Sequence, residues 1–255
     1  MGKLVTKIKS SKLVNTGVVK KIKDKIYFKF ISPKEEKKTD KYRKEILDKI
    51  YKAFKGCNWQ LMSGSLLRYH RDNTMEGQDL DIYILRSDFD KVKENVLKEG
   101  FTIKQVFFMP TKEISEYKFF YKDCEVDIFM VDYDKGTYSH RFTLEKKDSK
   151  GLKRKVVNNT QKVYGNDLVS YKRNLHYFSK NKDYKYNDII FKGPLKIEES
   201  IYDIYGENWK VYDPTYDPRF APSNNLATPY EDAFSYVFIK PIKNYEDIFK
   251  DIKLN

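Results

Sequence analysis

The stretch that decides the fold is Gly64-Ser65-Leu66-Leu67-Arg68-Tyr69-His70-Arg71, followed after a short polar loop by Gln78-Asp79-Leu80-Asp81-Ile82-Tyr83. Asn58 to Ser63 reads as a strand, Gly64-Ser65 as its end, and Leu66 to Arg71 as the start of a short helix. A strand that turns into a helix at Gly-Ser brings free backbone N–H groups, the positive end of the helix dipole and a hydroxyl to one point, which suits a phosphate. Leu80 to Leu85 alternates as a second strand, so Asp79 and Asp81 share one face and Leu80 and Ile82 the other. Two carboxylates placed at i and i+2 can share a hard divalent cation, which takes oxygen ligands and bridges to phosphates.

Working outward, Ile46, Ile50, Tyr51 and Phe54 recur at spacings of three and four, which predicts a helix over Lys41 to Phe54, stopped by Gly56. A second helix is expected over Ser87 to Glu99, opened by Ser87 as its cap and closed by Gly100. Phe101 to Phe108, Tyr117 to Tyr121 and Glu125 to Val131 read as strands. The last carries Asp127 in an alternating apolar setting, where an unpaired carboxylate is costly to bury. Asp127 is therefore the candidate third carboxylate. The plainer alternative is that Asp79 and Asp81 only cap a strand start and Asp127 pairs with a lysine.

Residues 1–33 alternate apolar and basic positions, as short strands do, and Asp167 to Phe178 reads as a helix with aromatic and basic faces. Glu198 to Tyr205 reads as a short helix stopped by Gly206. Six of the eight prolines lie from Pro194 onward, which predicts a loop-rich wrap. The expected architecture is α+β (mixed α/β): an N-terminal β extension over 1–40, a core sheet with flanking helices over 41–135 that carries the three aspartates, and a loop-rich extension over 136–255 that packs on the core.

Composition sets the class. The chain has 255 residues, 50 Lys+Arg against 37 Asp+Glu, and a formal charge of +13. Aromatic residues make up 16%, more burial than a disordered chain supplies. The excess charge is nearly all lysine and has two readings, a solvated surface or an anionic partner. No apolar run reaches the roughly 18 to 20 residues that span a bilayer, and no apolar stretch of signal-peptide kind follows the basic first residues. A cytoplasmic protein is expected, with peripheral membrane contact left open. Cys57 and Cys124 are expected as free thiols.

Gly-Ser, thirteen residues, Asp-apolar-Asp-apolar and then a lone Asp in a later strand resembles the pattern of the nucleotidyltransferase fold. Within that fold the chain resembles the LicD/fukutin phosphotransferases. Gly64, Ser65, Leu66, Leu67 and Arg71 match that family's pattern in order, and Asp79 and Asp81 take its metal-binding pair. Ile204-Tyr205-Gly206-Glu207-Asn208-Trp209 is similar to its C-terminal Tyr-Gly-x-x-Trp signature. The resemblance implies Mg2+ or Mn2+ held by Asp79, Asp81 and Asp127, with Gly64, Ser65, Arg68, Arg71 and Trp209 on the donor. One of the three aspartates would take the acceptor's proton. The reaction implied moves phosphocholine, ribitol phosphate or glycerol phosphate from a CDP-linked donor to a glycan hydroxyl.

The sequence departs from that pattern at Thr74-Met75-Glu76-Gly77-Gln78, which leads to only two acidic residues, and at position 68, where Arg either reaches a phosphate or covers the helix. Trp209 has two readings as well, stacking on a ring of the substrate or ordinary packing. His70, His176 and the pair His140-Arg141 are weaker candidates for substrate contact. The competing reading is a nucleotidyltransferase that acts on or binds nucleic acid, with the +13 charge tracking a phosphate backbone. The lack of a separate helical RNA- or DNA-binding segment disfavours it.

Overall fold

The first helix, α1, runs over Ser32–Ala53 and turns Ile46, Leu47, Ile50 and Ala53 onto one stripe that, with Phe54 just beyond it, is fully buried. The computed structural model describes residues 32–77, 79–109, 111–122, 124–145, 153–157, 159–164, 168–213, 216–218, 221–223 and 234–252. Most of the expected N-terminal β extension, residues 1–31, lies outside these. Residues 32–40 are helical rather than extended. Pro33 suits a first helical turn, and the Lys/Glu run after it is made of good helix formers.

The helix α2 (Ser63–Asp72) follows strand β1 (Trp59–Leu61), and α3 (Arg86–Lys98) follows β2 (Asp79–Leu85). Strands β3 (Thr102–Phe108), β4 (Ile114–Tyr121) and β5 (Cys124–Asp134) complete the central part of the sheet. Ser87 does not cap α3, because the helix already begins at Arg86 and its N-cap position, Leu85, makes no side-chain bond. Leu85 ends β2 with no residue between strand and helix, which leaves no room for a polar cap.

Beyond residue 135 come β6 (Thr137–Glu145), β7 (Lys153–Val157), β8 (Thr160–Tyr164), β9 (Leu168–Asn174), the hairpin β10 (Asn181–Tyr186) and β11 (Ile189–Pro194), then α4 (Ile197–Tyr205), a 3₁₀ turn at Glu207–Lys210, β12 (Phe234–Ile242) and α5 (Glu246–Asp251). The expected helix over 167–178 is largely the strand β9. It pairs with β6 from Ser139 against Asn174 to Glu145 against Leu168, and those backbone bonds override the helical spacing of its aromatic residues. The C-terminal region also does more than wrap the core, since β12 enters the sheet between β3 and β8.

Ten strands form one sheet in the order β1-β2-β5-β4-β3-β12-β8-β7, and β6 with β9 branches from the far end of β5. Among the described residues, β2 and β5 are the one parallel pair. This is a mixed α/β architecture, with α1 and α3 covering one face of the sheet. On that face Leu80, Ile82, Ile84, Val126, Ile128 and Phe119 are fully buried. Full burial of such side chains contributes about 1.5–3 kcal/mol each. Among the described residues no helix is long and apolar enough to cross a membrane, and Cys57 and Cys124 are free thiols.

Candidate active site

The opposite face of β2, β5 and β4 is charged. In the parallel pair, Asp79 lies beside Glu125 and Asp81 beside Asp127; across the antiparallel pair, Lys118 lies beside Asp127 and Glu116 beside Phe129. The period-2 alternation that buries Leu80 and Ile82 under the helices therefore gathers Asp79, Asp81, Glu116, Glu125 and Asp127 on one surface. All but Glu125 line a cavity of about 430 Å³ together with Lys118.

Lys118 is set among the acids. Its Nζ donates to Asp127 Oδ2 at 2.6 Å and to Glu125 Oε1 at 2.6 Å, with Glu116 Oε1 at 3.7 Å. The plainer alternative for Asp127 is thus half met, because one of its oxygens is paired with a lysine. The other, Oδ1, is buried with no hydrogen-bond partner among the described residues.

One ammonium does not balance this many carboxylates. Burial and the charges of Asp79 and Asp127 raise the Asp81 carboxyl well above the usual carboxylate range. Burial, with Asp127 and Asp81 nearby and against the pull of Lys118, does the same to Glu116. Burial, opposed by Lys118 and reinforced by Glu125, pushes Asp127 up to about 7. Lys118 is held well above its ordinary value: burial opposes its charge, but Asp127, Glu116 and Glu125 outweigh that cost. The surface has an unmet demand for positive charge.

The N-terminus of α2 opens onto the same cavity, where Ser63 and Gly64 are lining residues. Met62, at the N-cap position, makes no side-chain bond to the first turn. Ser63 adopts a left-handed backbone, φ 53°, which costs a non-glycine residue about 1–3 kcal/mol and is the kind of strain that collects at functional sites. Its Oγ lies 3.1 Å from the Tyr83 hydroxyl. Ser65 is turned the other way: it is fully buried and donates from Oγ to the Asp79 carbonyl at 3.3 Å, so its side chain fixes the start of β2.

Arg68 threads between two glycines. A Cβ on Gly77 would lie 2.1 Å from Arg68 Nη2, and one on Gly64 would lie 3.3 Å from Nη1, so the guanidinium occupies the space that side chains there would fill. Its charge is felt at Asp81, although Arg68 is not among the cavity-lining residues. Arg71 and Trp209 come together but away from the cavity. Arg71 is forked onto Asp72 at 2.7 and 2.8 Å and donates to the Trp209 carbonyl at 3.3 Å. His70 lies against the Trp209 ring at 5.5 Å and its Nε2 is 3.3 Å from Glu198 Oε1, while His176 Nδ1 is 2.9 Å from Asp203. None of these four residues lines the cavity.

A further wall of the cavity comes from the β6–β9 branch and α4. It carries His140, Phe142, Thr143, Arg173 and Tyr205, with Tyr83, Phe107 and Phe129 completing the aromatic surround. His140 is buried; withdrawal from water, with Arg173 nearby, holds its imidazole well below the usual range and therefore neutral. Sequence reading passed over Glu116, Glu125, Lys118, Thr143 and Arg173. For the first three a signal existed, since Ser115-Glu116-Tyr117-Lys118-Phe119 alternates and Glu125 stands two positions before Asp127.

Among the described residues, no three His, Cys, Asp or Glu side chains close around one point as a ready cage for a metal ion. A donor set made only of carboxylate oxygens still suits Mg2+ or Mn2+, which commonly bind through one or two carboxylates plus substrate phosphates. The unpartnered Asp127 Oδ1 and the raised acids at Asp81 and Glu116 fit a site completed by a cation and its phosphate.

No family model matches the sequence, and no curated protein matches it. Among solved structures the chain is similar to a lincosamide antibiotic adenylyltransferase with lincomycin bound, at 19% identity and a TM-score of 0.34, over 61% of this chain and 80% of that one. A likeness that loose leaves the functional assignment to the residues themselves.

Proposed function

We propose that the protein is a metal-dependent transferase of the nucleotidyltransferase type, moving a phosphate-linked group from a nucleotide donor to a hydroxyl. The observation that carries this reading is the registry of Asp79 and Asp81 beside Glu125 and Asp127, at the cavity onto which the uncapped N-terminus of α2 opens. Carboxylates alone repel phosphate and a helix N-terminus alone attracts any anion; side by side they accept a phosphate that arrives with its cation.

In this reading Asp79 and Asp81 would hold Mg2+ or Mn2+. That ion, when bound, supplies neutralisation of the phosphate oxygens and of the departing nucleotide. The Ser63 and Gly64 N–H groups donate to the phosphate and orient it, at the positive end of the α2 dipole. Asp127, its Oδ2 held by Lys118, keeps Oδ1 for the proton of the incoming hydroxyl, and a carboxyl pushed up to about 7 is matched to that task near neutral pH. Tyr205 and the β6–β9 wall exclude water from the reacting phosphate.

For the donor we adopt the assignment that the LicD/fukutin resemblance implies: a CDP-linked choline, ribitol or glycerol, with a glycan hydroxyl as acceptor. Gly64, Ser65, Leu66 and Leu67 support it by motif, whereas Arg71 and Trp209 would act through the support of α2 rather than by touching the donor. The test is release of CMP from CDP-choline, CDP-ribitol and CDP-glycerol with Mg2+, run beside pyrophosphate release from CTP and ATP. CMP release that requires the divalent ion is expected. Turnover without any divalent ion would overturn the mechanism, and pyrophosphate release without CMP release would overturn the donor. RNA binding with a steep salt dependence and no turnover would favour the nucleic-acid reading instead.

A further inference from the structure

Most buried side-chain polar atoms find partners, so those left without one point to something the site is built to hold. In the cavity the orphans are Asp127 Oδ1, among the acids, and His140 Nδ1 and Nε2, on β6; none has a hydrogen-bond partner among the described residues. His140 is 1% exposed.

The setting of His140 is specific. Its ring meets Tyr83 edge-on at 4.5 Å and Phe129 at 5.6 Å, and lies over Phe142 at 5.4 Å with 24° between planes. Three aromatic neighbours engage the ring while both nitrogens go unused. A neutral imidazole presents one donor and one acceptor in a single plane.

We infer that the His140 wall is the subsite for the nucleobase of the donor. The inference rests on the transferase reading above and names the part of the donor that this wall takes. The chemistry favours a base over a sugar. A polyol or a glycan brings a hydroxyl on nearly every carbon, each of which needs a partner once buried, whereas the groups around His140 are the rings of Tyr83, Phe129 and Phe142. A nucleobase brings apolar faces and a few in-plane donors and acceptors, which matches hydrocarbon with a small number of polar atoms. It also gives phosphate and base separate places in one cavity, the acids with their cation taking the first and the aromatic surround of His140 the second.

The test is direct binding by calorimetry to the full chain with Mg2+, using CMP, ribose 5-phosphate and pyrophosphate as probes. CMP should bind tighter than ribose 5-phosphate; His140→Ala and His140→Phe should each weaken CMP by roughly 10-fold and leave pyrophosphate within about twofold. Because a buried substitution can disturb folding, the wild-type protein labelled with ¹⁵N-histidine gives a second measurement. The chain has 3 histidines, and the His140 nitrogens should shift with CMP and stay in place with ribose 5-phosphate. Equal weakening of all probes in the variants, or unshifted His140 nitrogens under saturating CMP, would overturn the inference. Base-dependent binding with no turnover of CDP-linked donors would sink the donor assignment and leave the subsite standing.

Discussion

The two faces of β2, β4 and β5 are made from alternate residues of the same strands and have opposite chemistry. One holds Leu80, Ile82, Val126, Ile128, Tyr117 and Phe119 under α1 and α3, with Phe89 of α3 against Tyr117 at 5.1 Å. The other holds Asp79, Asp81, Glu116, Asp127 and Lys118 at the floor of a cavity. The apolar face stabilises the fold and sets the register, while the charged face costs stability and is held in place by the first. A shift of one residue would exchange them, so the site's geometry is fixed by the core behind it.

The largest effect should come from putting a charge on the wrong face. Ile82→Asp buries an unpaired carboxylate under α1 and α3 and is expected to cost about 4 kcal/mol or more, enough to unfold the chain in a urea titration. A soluble, cooperatively folding Ile82→Asp protein would show that the face is not the core described.

On the charged face, Lys118→Met leaves Glu125 and Asp127 without their ammonium partner. Removing one member of a buried ion pair typically costs about 3–5 kcal/mol, and excess Mg2+ should recover part of the loss. If Mg2+ stabilises the variant no more than the parent, the cation does not bind among these acids.

The smallest expected effect is the pH dependence of stability. Asp127 in the folded protein keeps its proton to about 7, whereas unfolded it loses it near the ordinary carboxylate value of 3.8. Between those values the folded state binds more protons, so stability falls as pH rises through the window. The raised Asp81 and Glu116 carboxyls act in the same direction, while Lys118, raised from 10.5, adds a contribution kept through neutral pH and lost only in strong alkali. Without divalent ions the thermal midpoint should drop by about 5 °C or more from pH 5 to pH 8, and Glu116→Gln should flatten the slope. A midpoint that rises over that range would mean the acids are better compensated than their surroundings indicate.

Much of this arrangement was readable in the chain. Asp79-Leu80-Asp81-Ile82 announces a strand with a polar and an apolar face, and Asp127 between Val126 and Ile128 announces another. That β2 and β5 lie side by side in register depends on pairing across more than forty residues, which alternation in either strand does not encode. Lys118 and Glu116 went unnoticed because charged residues near a strand end read as solvated, and β4 extends further toward Ile114 than its aromatic residues suggest. The β6–β9 wall was hidden more deeply. Tyr171, Leu175 and Phe178 have helical spacing, and only the backbone bonds to β6 make that segment a strand and bring Arg173 and His140 to the cavity.

The central claim is that the charged face is kept for chemistry at the expense of stability, and Asp81→Asn tests it most directly. CMP release and thermal unfolding would be measured on the same preparation. Turnover should fall by about 10³-fold or more, as loss of a metal-binding carboxylate implies, with an unfolding midpoint unchanged or higher because a repelled, desolvated charge is gone. Turnover within about tenfold of the parent, or a variant clearly less stable than it, would contradict the account.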